Sequence, residues 1–383
     1  MSRLRTALKI DNAVLTPKDF AAMVMRHEAF AAGRRGGARA IGRFIEVRGV
    51  ACIKRMLADA DFTGANFEDA VLAGSDLSQA SFYCANLART DLRRAILRRA
   101  DLRGAKLGGA ILTSAVLDEA DLRAAVLCLV DELTGLRWMG SSVDARGASL
   151  NDADLSEAVA HGVDFSNCSL RGASLRSANL KNANFTNANL SSVNLMGARL
   201  EGVRMRGAIL TGVDVQRLYL PPSALEGCVL DPTPEAHGMA DFIRAEIDRA
   251  EASIHSSARA GCRAGCRADV SGHDLRTAPV FRNRTLPGLA AADVLAVDMD
   301  FSESQLQAAC FDGADLRGVN FSGSDLRGAS FRGANLTHAR FANADLRSLK
   351  LEGGAIRPTD FSAARLDGTG MEPPIKEPLL LPT

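Results

Sequence analysis

Triplets in this chain set an acid and an arginine on either side of a leucine, among them Asp91 with Arg93, Asp101 with Arg103, Asp121 with Arg123, Asp315 with Arg317, Asp325 with Arg327, and Asp345 with Arg347. A carboxylate two residues from a guanidinium on an extended segment lies on the same side of the chain, where the two form an ion pair instead of an acid/base couple. An exposed pair of this kind contributes ~0 to 1 kcal/mol and cancels its own field. Arg93, Arg94, Arg98, Arg99, Arg103 and Lys106 also form a local basic strip, read either as an interaction surface for an acidic partner or nucleic acid, or as solvated wall. The one tryptophan, Trp138, sits between Arg137 and Met139, and Trp and Arg are favoured at binding hot spots. Cys262 and Cys266 with His255 and His273 are zinc-ligand types, but two tight ligand pairs are missing and Arg263 and Arg267 oppose a cation. No metal or cofactor is expected. There is no phosphate-cradling GxxxxGK[ST] motif, nucleophile elbow or HExxH, so a non-enzyme is expected.

What must position these residues is a period of five. From Ala58 to Leu127 a Leu or Phe occupies all fourteen register positions, Phe62, Phe67, Leu72 and onward to Leu127. Two residues before each lies a small residue, Ala in twelve cases, with Ser75 and Thr90 as the exceptions. Five residues advance a helix by 500° and put strand side chains on opposite faces, so neither element buries this set on one side. The chain must turn at every unit and coil around its own side chains, as a solenoid does. In the register Phe62 and Phe82, Phe165 and Phe185, Phe311 and Phe331, and the series Phe301, Phe321, Phe341 and Phe361 all repeat at twenty residues. Four units per coil follow, with rings stacked from coil to coil.

The unit A-x-L-x-x resembles the A-(D/N)-L-x-x of the pentapeptide-repeat family, and Ser177 to Leu195 (SANLKNANFTNANLSSVNL) matches it almost unit by unit. The resemblance implies an all-β solenoid, a right-handed quadrilateral β-helix with the central Leu or Phe and the preceding small residue inward. In this setting Asn179, Asn184, Asn189 and Asn194 face outward. It implies diverse functions, including DNA imitation toward a type II topoisomerase by fluoroquinolone-resistance members.

The division expected is a basic N-terminal helical cap (1–43), coils (44–127), a loop excursion (128–144), coils (145–230), an α-helical insert (231–298), coils (299–367) and a Pro-rich tail (368–383). Thr16 and Pro17 predict a helix over 17–32 whose Phe20, Met23, Val24 and Phe30 cover the first coil. The first 57 residues carry a charge of +8, and Arg34, Arg35, Arg39, Arg43 and Arg48 are an alternative nucleic-acid or membrane patch. Leu127 to Leu150 spans 23 residues, which fits three units plus eight residues of loop or two units plus thirteen. In the insert, Met239, Phe242, Ile243, Ile247 and Ile254 recur near helical spacing, so the segment either covers a stack or docks a partner through residues such as Phe242. Whether the third coil block continues the stack is left open.

The 383 residues carry a net charge of +1, lack an apolar run long enough for a membrane span, and begin without a signal-peptide core, so a cytoplasmic protein with no membrane attachment is expected. Residues 58–130, 145–230 and 299–367 have net charges of −2, +1 and −1. A phosphate mimic needs an uncompensated acidic surface, because DNA presents about one charge per 1.7 Å. The reading is a scaffold whose excursion or helical insert engages a protein partner of unknown identity; the alternative is a DNA mimic that binds a topoisomerase. Direct nucleic-acid binding is not expected, and the oligomeric state is open.

Overall fold

Parallel bridges between residues twenty apart run through the chain as ladders, such as Asp61 to Ser81 to Asp101 to Asp121 and Asn66 to Asn86 to Lys106 to Val126. In this computed structural model, residues 8–9, 14–130, 137–260, 267–351, 354–369 and 371 are described. Each bridged residue immediately precedes a register position, most often an inward Leu or Phe, so the coil has four five-residue sides. Regular strand is scarce because a side contributes one bridged residue before the chain turns. The turn uses a left-handed residue at every unit, a glycine such as Gly74 (φ 66°) or a non-glycine such as Arg94 (φ 56°), which costs an L-residue about 1 kcal/mol or more.

The chain divides into two units, Met1–Asp231 and Pro232–Thr383, each with its own core. In the first, the inward residues from Leu57 to Leu127 are at most 2% exposed. The ring of Phe165 stacks on that of Phe185 at 5.1 Å and 7°. Ser75 and Thr90, which replace the small alanine, each send a hydroxyl to a carbonyl of the coil below, Cys52 O (2.8 Å) and Phe67 O (3.0 Å). In the second unit Ser304 and Ser324 do the same to Phe281 O and Phe301 O, both at 2.6 Å. A polar atom is therefore tolerated inward where the coil beneath offers an acceptor.

Strand β1 (Leu8–Lys9) pairs with β2 (Ala40–Ile41) at the start of the first unit. Between them lies helix α1 (Pro17–Ala31), N-capped by Thr16, whose hydroxyl accepts from Asp19 N at 3.2 Å. Its buried residues are Phe20, Met23, Val24 and His27; Phe20 lies edge-on to Phe67 at 5.7 Å. Phe30 is only partly covered. The excursion is a hairpin of β3 (Cys128–Val130) and β4 (Arg137–Ser142). Bridges across it join residues 33 apart, as in Ile111 to Asp144, so thirteen residues are inserted and the reading of two units plus thirteen holds. The coils of this unit end in short 3-10 turns at Val215–Leu218 and Pro222–Leu225.

The second unit opens with helices α2 (Pro234–Gly238) and α3 (Ala240–Ala260). The helical segment is shorter than 231–298, since bridging resumes at Asp269 with Ala290 and Asp274 with Leu295. Those bridges span 21 residues because one residue is added before Phe281. Inward alanines at Ala291 and Ala296 stand where leucines mark the register elsewhere. Ile243, Ile247 and Ala250 of α3 are buried in the second core. Hairpin β5 (Leu349–Lys350) with β6 (Ile356–Arg357) interrupts the last coils. Bridges across it span 30 residues, as in Ser330 to Asp360. The tail beyond Met371, the start of the chain to Thr6 and the cysteines at 262 and 266 lie outside the described residues.

Candidate interaction site

The acid and arginine of each triplet meet as the two-residue spacing requires. Arg93 donates to both carboxylate oxygens of Asp91 (2.9 and 2.6 Å), and Arg103 and Arg123 do likewise to Asp101 and Asp121. Two of them also reach along the wall, Arg103 Nε to Asp121 at 3.6 Å and Arg123 Nε to Asp154 at 3.7 Å, so the pairs interlock from coil to coil. In the second unit the Arg347 guanidinium beside Asp345 holds that carboxyl down to about 2. A seventh triplet, Asp274, Leu275 and Arg276, lies in the segment read as helical insert, its arginine only 10% exposed. Arg317 is the other exception to exposure: its side chain is 5% exposed against Asp315.

The basic strip is largely neutralised. Arg98 lies 3.5 Å from Asp118 and Arg99 bonds Glu119 at 2.7 and 3.1 Å. Arg94 makes no ion pair among the described residues; it lines a shallow groove with Lys54, Gly74 and Ser114. Arg137, Trp138 and Met139 all fall on β4, with Arg137 facing Val130 in the hairpin register; their side chains lie outside the described set. Phe242 is 48% exposed, with its ring 5.7 Å from that of His273, whose Nδ1 bonds Ser271 O at 2.8 Å. The four strip arginines lie on the coils of the first unit, the hairpin triad on β4 and Phe242 on α3 of the second unit.

His27 was not singled out by its sequence, yet it is fully buried between α1 and the first coil. Its Nδ1 accepts from Ala40 N (3.0 Å), which leaves Nε2–H to donate to Ala58 O (2.9 Å). Burial holds its pKa below the ordinary value. Burial likewise pushes the Cys52 thiol up to about 11 and Cys168 higher still, so these thiols are packing, not nucleophiles. Among the described residues no three His, Cys, Asp or Glu side chains are placed to hold a metal, and no helix is long and apolar enough to cross a membrane.

Four-sided coils of five-residue units, faced with self-paired charges, define a repeat scaffold. The family model of pentapeptide repeats matches in eight copies, among them residues 60–99, 95–131, 141–176, 173–212, 296–323, 314–353 and 324–362. The chain belongs to the pentapeptide repeat family, whose members fold as right-handed quadrilateral β-helices and are generally non-enzymatic. Comparison with curated proteins finds no match. Among solved structures the chain is similar to HetL, a pentapeptide repeat protein involved in heterocyst differentiation regulation in the cyanobacterium Nostoc sp. strain PCC 7120, at 23% identity over 87% of this chain and 97% of that one (TM-score 0.21). It is similar to QnrB1, a plasmid-mediated fluoroquinolone resistance protein, at 15% identity over 62% and 97% (TM-score 0.32). A pentapeptide repeat protein of the Arabidopsis thaliana thylakoid lumen is 31% identical over 39% and 75% (TM-score 0.14). The family assignment rests on the repeat units, not on these superpositions.

Proposed function

We propose that this chain is a non-enzymatic cytoplasmic scaffold for protein–protein interaction, with hairpin β3–β4 as the element that engages a protein partner. The observation that carries the reading is that the coils close beneath the hairpin. Val143 N–H donates to Leu127 O (3.0 Å) and Leu127 N–H to Val159 O (2.8 Å), so the wall keeps its bonds on both sides of the thirteen inserted residues. An insertion that the wall does not need, carrying Arg137, Trp138 and Met139, has the residue types of a recognition hot spot. The coils of each unit are read as the family's right-handed quadrilateral β-helix, with α1 and α3 as caps over their first coils. Terminal repeats need such covers. Helix α3 is the weaker recognition candidate because its apolar face is spent on its own core.

Imitation of DNA toward a topoisomerase is the less favoured reading, since the interlocked Asp–Arg pairs leave no uncompensated acidic stripe of the kind a phosphate backbone presents. The test is capture from the source cell's lysate by the intact chain and by a variant lacking residues 129–141. The proposal expects a protein retained only by the intact chain while both melt at the same temperature. Equal retention by both overturns the hairpin's role, and retention of a topoisomerase by both would favour DNA imitation.

A further inference from the structure

Each side of a coil in the first unit is tied to the next by a recurring pair of backbone bonds from its inward residue and its turn. Leu175 N donates to Asn194 O (2.8 Å) and Ser177 N to Met196 O (2.9 Å); Leu180 N donates to Arg199 O (3.0 Å) and Asn182 N to Glu201 O (2.9 Å). One coil later the pattern breaks off over consecutive sides. The amides of Leu195, Gly197, Leu200 and Gly202 donate to no acceptor among the described residues, nor does that of Met205 on the next side, whereas Leu190 before them and Leu210 beyond them still bond Ile209 O and Val229 O, both at 2.8 Å. There the chain leaves the bridged pattern for the 3-10 turns at Val215–Leu218 and Pro222–Leu225, whose Val215, Leu218 and Leu225 pack against the first core, and it does not lay down another full bridged coil.

Beside these four donors lies a cleft of about 560 Å³ lined by Leu195, Met196, Leu200, Val213, Leu218 and Tyr219. Tyr219 is 93% and Met196 61% exposed, on a surface whose other large apolar residues are mostly covered. The charges at the rim are paired: Arg217 with Asp214 at 2.9 Å and Lys181 with Glu201 at 3.2 Å. Unpaired donors repeated in the same i, i+2 pattern on adjacent sides are met by the carbonyls of a backbone that turns the corner with the coil, and an apolar cleft alongside takes one large side chain. At the other end of this unit one amide is met by the chain itself, since Glu28 Oε1 accepts the Met56 amide at 3.3 Å and bonds Arg55 at 2.7 Å.

We infer that this end of the first unit is an edge-pairing site for a segment of a protein partner that turns at one corner as the coil does, which supplies carbonyls to Leu195, Gly197, Leu200 and Gly202 and one Leu- or Phe-sized side chain to the cleft. The inference rests on the reading of the chain as a protein-interaction scaffold and adds a second contact to the hairpin. With its rim charges paired, the site selects by backbone and shape, so binding is insensitive to salt.

The test is hydrogen exchange on the full chain with and without a synthetic peptide that copies residues 177–190, the chain's own stacking sequence. Expected is a slowing of about tenfold or more across residues 193–203 at saturating peptide, unchanged between low and high salt, with residues 90–125 unaffected. The same peptide should give no slowing in a variant carrying Met196→Glu and Tyr219→Glu, both exposed changes that leave the coils intact. Any of three results overturns it: amides of 193–203 already as slow in the free chain as those of 173–190, slowing that appears with chain concentration alone, or slowing that persists in the double variant. Such a result beside intact capture through the hairpin removes the edge site and leaves the scaffold reading standing.

Discussion

Phe331 and Phe361 stack with their rings 5.0 Å apart and 6° from parallel, although thirty residues separate them in the chain. Phe341, twenty residues before Phe361, meets it only edge-on at 6.1 Å and 83°. The cause is hairpin β5–β6, whose ten residues equal two repeat units and therefore leave the period of five undisturbed. Deleting residues 348–357 should return the spacing to twenty and keep the Phe331 stack, with a melting temperature within a few degrees of the intact chain. A collapse of the second unit would show that the hairpin holds it together.

Inward and outward positions should differ sharply in tolerance. Leu102 is 1% exposed, and Arg103 beside it is an outward partner of Asp101. Leu102→Asp should cost about 3 to 5 kcal/mol by urea unfolding, from a lost apolar contact and a buried charge, while Arg103→Asp should stay within about 1 kcal/mol. Equal costs would refute the inward register.

The Asp–Arg pairs, alike in sequence, should separate by burial. Removing Arg317, whose own side chain is only 5% exposed, deletes a packed arginine as well as the partner of the 25% exposed Asp315, and should destabilise by about 1 to 3 kcal/mol. Arg93, at 59% exposure, makes the same bidentate contact in water, and Arg93→Ala should leave the melting temperature unmoved. Matching losses would mean that the wall charges act as a network.

These pairs also mark how far the sequence could be read. The period of five, the twenty-residue coil and α1 were legible because each rests on a repeated or local pattern: leucine spacing, ring spacing, and a Thr-Pro cap. The coils at 268–298 were hidden because Ala291 and Ala296 fill inward positions with side chains too small to mark the register, and one added residue shifts the phase. The triplet Asp274, Leu275 and Arg276 was the signal that could have exposed them. An insertion of thirteen residues announces itself by breaking the period, whereas one of ten does not, so Phe361 was placed in the wrong ring column. The strip arginines were visible as residues, but their neutralisation by Asp118 and Glu119, one coil away, depends on stacking.

His27 gives the first unit a dependence on pH. Its folded pKa lies below the ordinary value because burial penalises the imidazolium, with Asp59 and Glu28 opposing and Arg39 reinforcing that penalty. The folded state therefore binds fewer protons than the unfolded, so stability is complete above about 6.5 and falls as pH drops from there through the folded pKa. The depressed carboxylates Asp345 and Asp360 lose their contribution only at lower pH, from about 3.8 down through their folded values of about 2. Between pH 6.5 and 5, the protection of α1 amides, taken relative to the intrinsic exchange rate at each pH, should fall before that of the coils, and His27→Phe should remove the effect. A flat profile over that range would show that the histidine stays neutral throughout.

The most direct test of the central claim is site-specific photo-crosslinking in the source cell, with a benzophenone amino acid placed at Trp138 on β4 or, for comparison, at Arg176 on the wall of the first unit. A scaffold that engages its partner through the hairpin predicts one discrete protein adduct from position 138 and none from 176. Adducts from the wall position with nothing at 138 would contradict it and move recognition onto the coils themselves.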